Sequence, residues 1–532
     1  MSTNWTKEQR EAIDARGKNL LVSAAAGSGK TAVLVERIIS LMIEERVEVG
    51  ELLIVTFTNA AAGEMKERIQ KKLQEKRREL LAGENNGGQK ELIGFLTKQI
   101  QNIPGANIST LHSFCIDVLK DNFQIANLDP RFRLINESLG AILTANAISN
   151  VLESKYAQGK KEFLSLVESY GDSKTDKKLV ETVKTIDRFI QAKPNQEQWL
   201  REQADFYARM RELKSNNELI DYIFKKPAGA LFLQEVEEGL NAVIETLNQG
   251  KKLASFYNPP MPAIENLEDD LAQMELIRRK IRGEKKHESL ESLGSVSFSR
   301  YKSPKKADKE NFDPFDLEQT KALRDAAKKQ FQKMEESTKI IFTDSLLEDM
   351  KYISLMVEEL VDLVLDYKAE YGRLKQDNAL ADFSDLEHMT LKVLEDEEVR
   401  KSLQDKFKYI FFDEYQDTNL VQETIINQIK RDNNLFFVGD VKQSIYRFRL
   451  ADPNIFNKRY SDYEGSPISQ KIDLSKNFRS RREILDFCNL IFKNIMSPKY
   501  GEVDYENEDH QLKSGRDFDA YTDHIELAII EK

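Results

Sequence analysis

Eight residues near the start of the chain leave little freedom of fold. Ala24-Ala25-Ala26-Gly27-Ser28-Gly29-Lys30-Thr31 lies between an apolar run at 19–23 and an apolar-periodic run at 31–43. A buried strand, a glycine-containing loop and a helix form a frame in which backbone N–H groups converge on an anion at a helix N-terminus. The spacing follows the phosphate-loop pattern, except that Ala24 stands where the first glycine is usual. In that pattern residues Ala24, Ala25, Ala26, Gly27, Ser28 and Gly29 wrap the β-phosphate, Lys30 reaches the β- and γ-phosphates, and the Thr31 hydroxyl ligates Mg²⁺.

The same texture returns twice, at 52–56 followed by 60–72 and at 107–110 followed by 113–122. Strands alternating with helices predict a parallel sheet with helices on both faces, the architecture of a RecA-like phosphate-loop domain. From about 130 to 380 the strands largely vanish and amphipathic spacing takes over, as at 346–371. We read 1–130 as the first segment of the motor domain, 131–380 as a helical insertion, 381–468 as the second segment of the motor and 469–532 as the incomplete start of a second RecA-like domain. Within the insertion, 283–310 is rich in Ser and Lys and reads as an exposed loop or mobile linker. A plausible last strand at 524–530, with nothing after it to pair, suggests a fragment.

Strands resume at 408–412, 435–438 and 471–474, and polar chemistry follows each. The first ends in Asp413-Glu414, two carboxylates where a parallel sheet presents its ligands. Asp413 is placed to hold Mg²⁺ through its water shell, and Glu414 to orient and deprotonate an attacking water. After the second strand comes 439–449, in which Gln443 suits sensing of a γ-phosphate. Tyr446 and Phe448 either offer faces to unpaired bases or pack in the core. Asn477-Phe478-Arg479-Ser480 follows the third, and an arginine there can reach a γ-phosphate across a cleft. A guanine-reading Asn-Lys-x-Asp segment is missing downstream of the acidic pair, which disfavours a GTPase.

Composition adds limits. The 532 residues include 32% charged and 40% hydrophobic residues, enough for more than one globular unit. No stretch approaches the roughly 18–20 apolar residues of a membrane span, and the polar start carries no signal-peptide core, so the cytoplasm is the default location. Cys115 and Cys488 are too few for a disulfide framework or a four-ligand metal site. A net charge of −11 argues only weakly against a nucleic-acid partner, since a translocating motor needs a local basic and aromatic track. The basic run Arg278-Arg279-Lys280-Ile281-Arg282 fits a phosphate contact or a solvated helix face.

In order, these segments resemble the motifs of the UvrD/RecB-like branch of superfamily 1 helicases. Trp5-Thr6-Lys7-Glu8-Gln9 matches its adenine-reading motif, Thr56-Phe57-Thr58-Asn59-Ala60 and Ser109-Thr110-Leu111-His112-Ser113-Phe114 two strand-contacting motifs, and Ala381-Asp382-Phe383-Ser384-Asp385-Leu386 the stretch that precedes its acidic motif. Residues 22–37 and 108–115 are more narrowly similar to ATP-dependent helicase/nuclease subunits of the AddA type. The resemblance implies ATP and Mg²⁺ as cofactors, with Gln9 on adenine. It also implies Phe57, Asn59, His112, Tyr446 and Phe448 along single-stranded DNA, and Gln443 and Arg479 coupling nucleotide state to domain closure. On their own, Phe57 and His112 read equally well as a core aromatic and a satisfied polar residue. The family acts on single-stranded and duplex DNA, translocates 3′ to 5′, and pairs with a second subunit of AddB or RexB type in a heterodimer that resects double-strand breaks near the nucleoid. Its last helicase motif and nuclease acids have no counterpart before Lys532, so we expect the N-terminal part of a longer protein. An ATP-gated DNA-binding or subunit-interaction fragment without turnover of its own is the alternative.

Overall fold

A computed structural model describes residues 5–82, 87–170, 175–283, 286–498, 503–506 and 511–516. The strand expected at 524–530 lies outside the described residues. In chain order the strands are β1 (Asn19–Ala24), β2 (Leu52–Thr56), β3 (Asn107–Thr110), β4 (Arg133–Leu134), β5 (Leu380–Ala381), β6 (Tyr409–Phe412), β7 (Leu435–Gly439) and β8 (Ser469–Leu474). Six of them form one sheet in the order β3-β2-β6-β7-β1-β8, every pairing parallel.

Alternate residues of each strand feed two cores. Leu20, Val22, Leu52, Ile54, Phe411, Phe436 and Val438 pack on one face with the helices Lys30–Glu44 and Asn59–Ala82. Leu21, Leu53, Val55, Ile410, Phe412, Leu435 and Phe437 pack on the other with Leu111–Asp121, Phe383–Val393 and Leu420–Ile429. Burial on both faces is why these strands read as unbroken apolar runs. Each fully buried Leu, Ile or Phe contributes roughly 1.5–3 kcal/mol relative to exposure.

The insertion leaves and rejoins this sheet domain through a two-stranded parallel clasp, Arg133 beside Leu380 and Leu134 beside Ala381. Just after it, Asp382 caps the helix Phe383–Val393 in a capping box with Asp385, and Lys375 Nζ bonds both carboxylates at 2.8 and 2.6 Å. The chain forms two compact units, and the second holds only 155–178 and 200–363, narrower than the expected 131–380. The boundary expected at 469 is also corrected. β8 is hydrogen-bonded along β1 from Asn19–Ser469 to Ala24–Leu474, so the sheet of the first unit closes with it. That pairing joins residues more than 400 apart, and no local pattern reports it.

The second unit, taken by itself, is a helical core built on Pro227–Ser255, Ile264–Arg282 and Pro314–Thr338, in which Arg324 meets Asp270 at 2.6 Å. The segment read as a loose linker is pinned to it. Leu290 and Leu293 are buried, Phe298 packs on the core, and Asn266 donates to Ser299 Oγ at 2.7 Å. The basic run is a solvated helix face: Ile281 is buried, Arg278 pairs with Glu275 and Arg282 with Glu237. Among the described residues no helix is long and apolar enough to cross a membrane.

Candidate ATP and DNA site

Because the six strands are parallel, the segments after β1, β6, β7 and β8 emerge on one edge of the sheet. That edge collects the residues singled out in the sequence. Ala24 is the last residue of β1, fully buried and paired with Leu474, so a methyl group fits where the usual pattern has glycine. The next two glycines are required. Gly27 and Gly29 take φ of +70° and +86°, and a Cβ on Gly27 would lie 2.8 Å from Asn477 Nδ2. Gly29 caps the helix that starts at Lys30 and carries the half-buried Thr31 in its first turn, so the loop ends at a helix N-terminus.

The loop is held from two sides. Gln9 is buried; its Nε2 donates to the Ser28 carbonyl at 2.9 Å while its Oε1 accepts from the Thr6 backbone. On the other side Asn477 Nδ2 donates to the Ala26 carbonyl at 2.7 Å and Phe478 N to the Gly27 carbonyl at 2.9 Å. Asn477 Oδ1 accepts from the backbone of Arg479 and Ser480, which fixes the exposed Arg479 beside Gly27.

Across from the loop, Lys30 Nζ lies 2.9 Å from Glu414 Oε2. Glu414 has φ of +54°, uncommon for a residue with a side chain. Asp413 precedes it, and burial first, then the neighbouring Glu414, pushes its carboxyl up to about 6 while Lys30 pulls the other way. Asp417 is likewise pushed up to about 6, by burial and then by Glu414. A divalent ion with its nucleotide fits these donors. Ser28 Oγ is buried without a partner at the loop, and among the described residues no cluster of three His, Cys, Asp or Glu makes an all-protein cage. An ion held by Thr31 and Asp413 would therefore draw its remaining ligands from phosphates and water, as Mg²⁺ does.

Gln443, singled out for γ-phosphate sensing, donates to Asp440 Oδ2 at 2.8 Å, and Asp440 also pairs with Lys442 at 2.7 Å. Tyr446 and Phe448 belong to an exposed cluster rather than to the core. The Phe57 and Tyr446 ring centroids are 4.5 Å apart, those of Tyr446 and Phe448 5.7 Å, and the Arg449 guanidinium lies near all three rings. Phe448 is 72% exposed. Asn59 is exposed at the first residue of its helix.

His112 fulfils both of its readings. Its Nε2 is 3.1 Å from Glu387 Oε1, a carboxylate that also accepts from Gln422 at 2.7 Å, and its ring meets Phe383 edge-on. It also lines a cavity of about 570 Å³ with Phe57, Phe383 and Arg449, which reaches Glu414 and Asp417. Sequence reasoning missed Gln416, Glu387 and Arg449, and gave Asn477 no role of its own. The signal for Gln416 was Gly439: a Cβ there would lie 2.4 Å from Gln416 Oε1. Cys115 is buried in the core, where burial pushes its thiol up to about 12.

The chain is 40% identical to the AddA-type ATP-dependent helicase/nuclease subunit of Alkaliphilus oremlandii, over 99% of this chain and 42% of that protein. It is 38% identical to the corresponding subunit of Syntrophomonas wolfei over 95% of this chain and 39% of the relative. To the Bacillus pumilus relative of the same name it is 38% identical, over 97% and 41%. The chain thus spans about two fifths of the length of these relatives. The model of the UvrD/REP helicase N-terminal domain matches residues 5–259 and 263–464, which include the phosphate loop, both carboxylates and the aromatic cluster. A match over that much of the molecule, with the loop and carboxylates facing each other on one sheet edge, places the chain in the UvrD/REP helicase family.

Proposed function

We propose that this chain is the ATP-hydrolysing half of a DNA helicase motor, part of a helicase/nuclease that resects double-strand breaks for recombination. The observation that carries the reading is the 2.9 Å approach of Lys30 and Glu414 from opposite sides of one sheet edge. Phosphates seated on the loop take Lys30 as counter-charge, and Glu414 then faces the terminal phosphate. Gln9 meets the adenine, while Gln443 and Arg479 lie toward the γ-phosphate. In hydrolysis the oxygen of a water forms a bond to the γ-phosphorus, the bond to the bridging oxygen breaks, ADP and phosphate leave, and the proton of the water passes to Glu414. Mg²⁺, held by Thr31 and Asp413, neutralises phosphate charge when bound.

Single-stranded DNA lies along Phe57, Asn59, His112, Tyr446 and Phe448, where base stacking contributes about 1–3 kcal/mol per base. Translocation runs 3′ to 5′. The residues from 475 onward begin the second RecA-like domain, and a second subunit of AddB or RexB type completes a heterodimer in the cytoplasm, at the nucleoid when acting. The relatives' names support the helicase and nuclease setting.

The test is directional unwinding by the assembled helicase/nuclease carrying Lys30→Ala in this chain. Duplexes with a 3′ single-stranded tail are opened by the unaltered assembly and not by the variant. Equal opening by both, or dependence on this chain with 5′ tails only, contradicts the proposal.

A further inference from the structure

One buried amide joins the catalytic edge to the loop that carries the aromatic cluster. Gln416 is 2% exposed. Its Nε2 donates to Glu414 Oε2 at 2.9 Å and to Asp417 Oδ2 at 3.3 Å, and its Oε1 accepts from the Asp440 backbone N–H at 2.9 Å. The orientation is fixed by chemistry: two carboxylates face the NH₂ end and a backbone donor faces the oxygen, so a flipped amide would set oxygen against carboxylates and NH₂ against N–H. The amide crosses above Gly439, where a side chain would strike it, and Ser444 Oγ donates to the Gln416 carbonyl at 3.3 Å.

The network runs on in both directions. Asp440 accepts from Gln443 at 2.8 Å, and the same loop continues to Tyr446 and Phe448. Glu414 contacts Lys30 at 2.9 Å. A shift of the 440–449 loop therefore moves a hydrogen-bond partner of Glu414 with no water between them to absorb the change.

We infer that Gln416 is a positioning residue that couples strand occupancy at the Phe57–Tyr446–Phe448 cluster to the placement of Glu414 over the phosphate loop. The inference rests on the proposed function for the identity of the two ligands. It requires of them only that each affects the binding of the other, because such coupling is reciprocal whatever the rate of turnover.

The experiment uses the full chain and two replacements of similar size. Gln416→Met removes both hydrogen-bonding ends, and Gln416→Glu replaces the donating end with oxygen. Affinity for a fluorescent, non-hydrolysable ATP analogue with Mg²⁺ is titrated with and without an oligothymidylate, and ATP hydrolysis is followed under the same conditions. In the unaltered chain the oligonucleotide shifts nucleotide affinity by about fivefold or more. In each folded variant that shift is lost, while nucleotide affinity without DNA changes by less than about threefold. A shift that persists in the variants overturns the inference, as does an equal loss of affinity with and without DNA, the mark of a merely structural residue. If the unaltered chain shows no shift at all, the inference fails. If it shows the shift but no turnover, the inference stands while the hydrolytic reading of this chain alone fails. Should Gln416→Met not fold, Gln416→Glu gives the same reading.

Discussion

Asn477 and Ala26 are 451 residues apart in the chain, yet the side-chain amide of the first donates to the carbonyl of the second at 2.7 Å. The segment after β8 is thereby clamped onto the phosphate loop, with the backbone of Phe478 bonded to Gly27 beside it. Removing a buried donor leaves the Ala26 carbonyl unpaired, at a cost of about 1–3 kcal/mol. Asn477→Ala is expected to lower the melting temperature and to weaken nucleotide binding by about fivefold or more, measured by calorimetry. Unchanged affinity would mean that the loop keeps its shape without the clamp.

Asp413 sets a pH dependence whose sign follows from its raised pKa. Its ordinary value is 3.8 and burial beside Glu414 lifts it to about 6, so the folded protein favours the protonated carboxyl. The associated stability is complete below 3.8 and is lost as pH rises through about 6. Asp413→Asn is therefore expected to raise the melting temperature of the nucleotide-free protein at about pH 7.5, by no more than about 3 kcal/mol equivalent, and to change it little at about pH 4.5. Turnover is lost at both. A lowered melting temperature at the higher pH would contradict the burial argument.

The exposed rings make a separable prediction. Tyr446→Ala and Phe448→Ala are each expected to weaken binding of oligothymidylate by about 1–3 kcal/mol, read by fluorescence anisotropy. Nucleotide affinity without DNA stays within about threefold. DNA affinity that ignores both substitutions would return these rings to a packing role, against the 72% exposure of Phe448.

Much of the first unit was legible because its strands are buried on both faces. Such strands appear as apolar runs, and the runs at 19–23, 52–56, 107–110, 408–412, 435–438 and 471–474 all became strands of the sheet. The loop and the acidic pair were legible because their chemistry is local to a strand end. Pairing was not: β8 reads as the opening of a new domain until its register with β1 is seen. Gln416 and Asn477 escaped for the same reason, since their partners, Asp440 and Ala26, are distant in sequence. The segment 283–310 looked unstructured because its few apolar residues, among them Leu290, Leu293 and Phe298, are spaced irregularly; their burial depends on helices elsewhere in the second unit.

ATP hydrolysis by the 532-residue chain, with and without single-stranded DNA and beside Glu414→Gln, is the most direct test that one sheet edge holds a working motor site. The account predicts turnover that DNA stimulates and that the substitution reduces by at least about a hundredfold while nucleotide still binds. Turnover that survives Glu414→Gln would contradict it, and nucleotide binding without turnover in the unaltered chain would leave a nucleotide-gated DNA-binding module in its place.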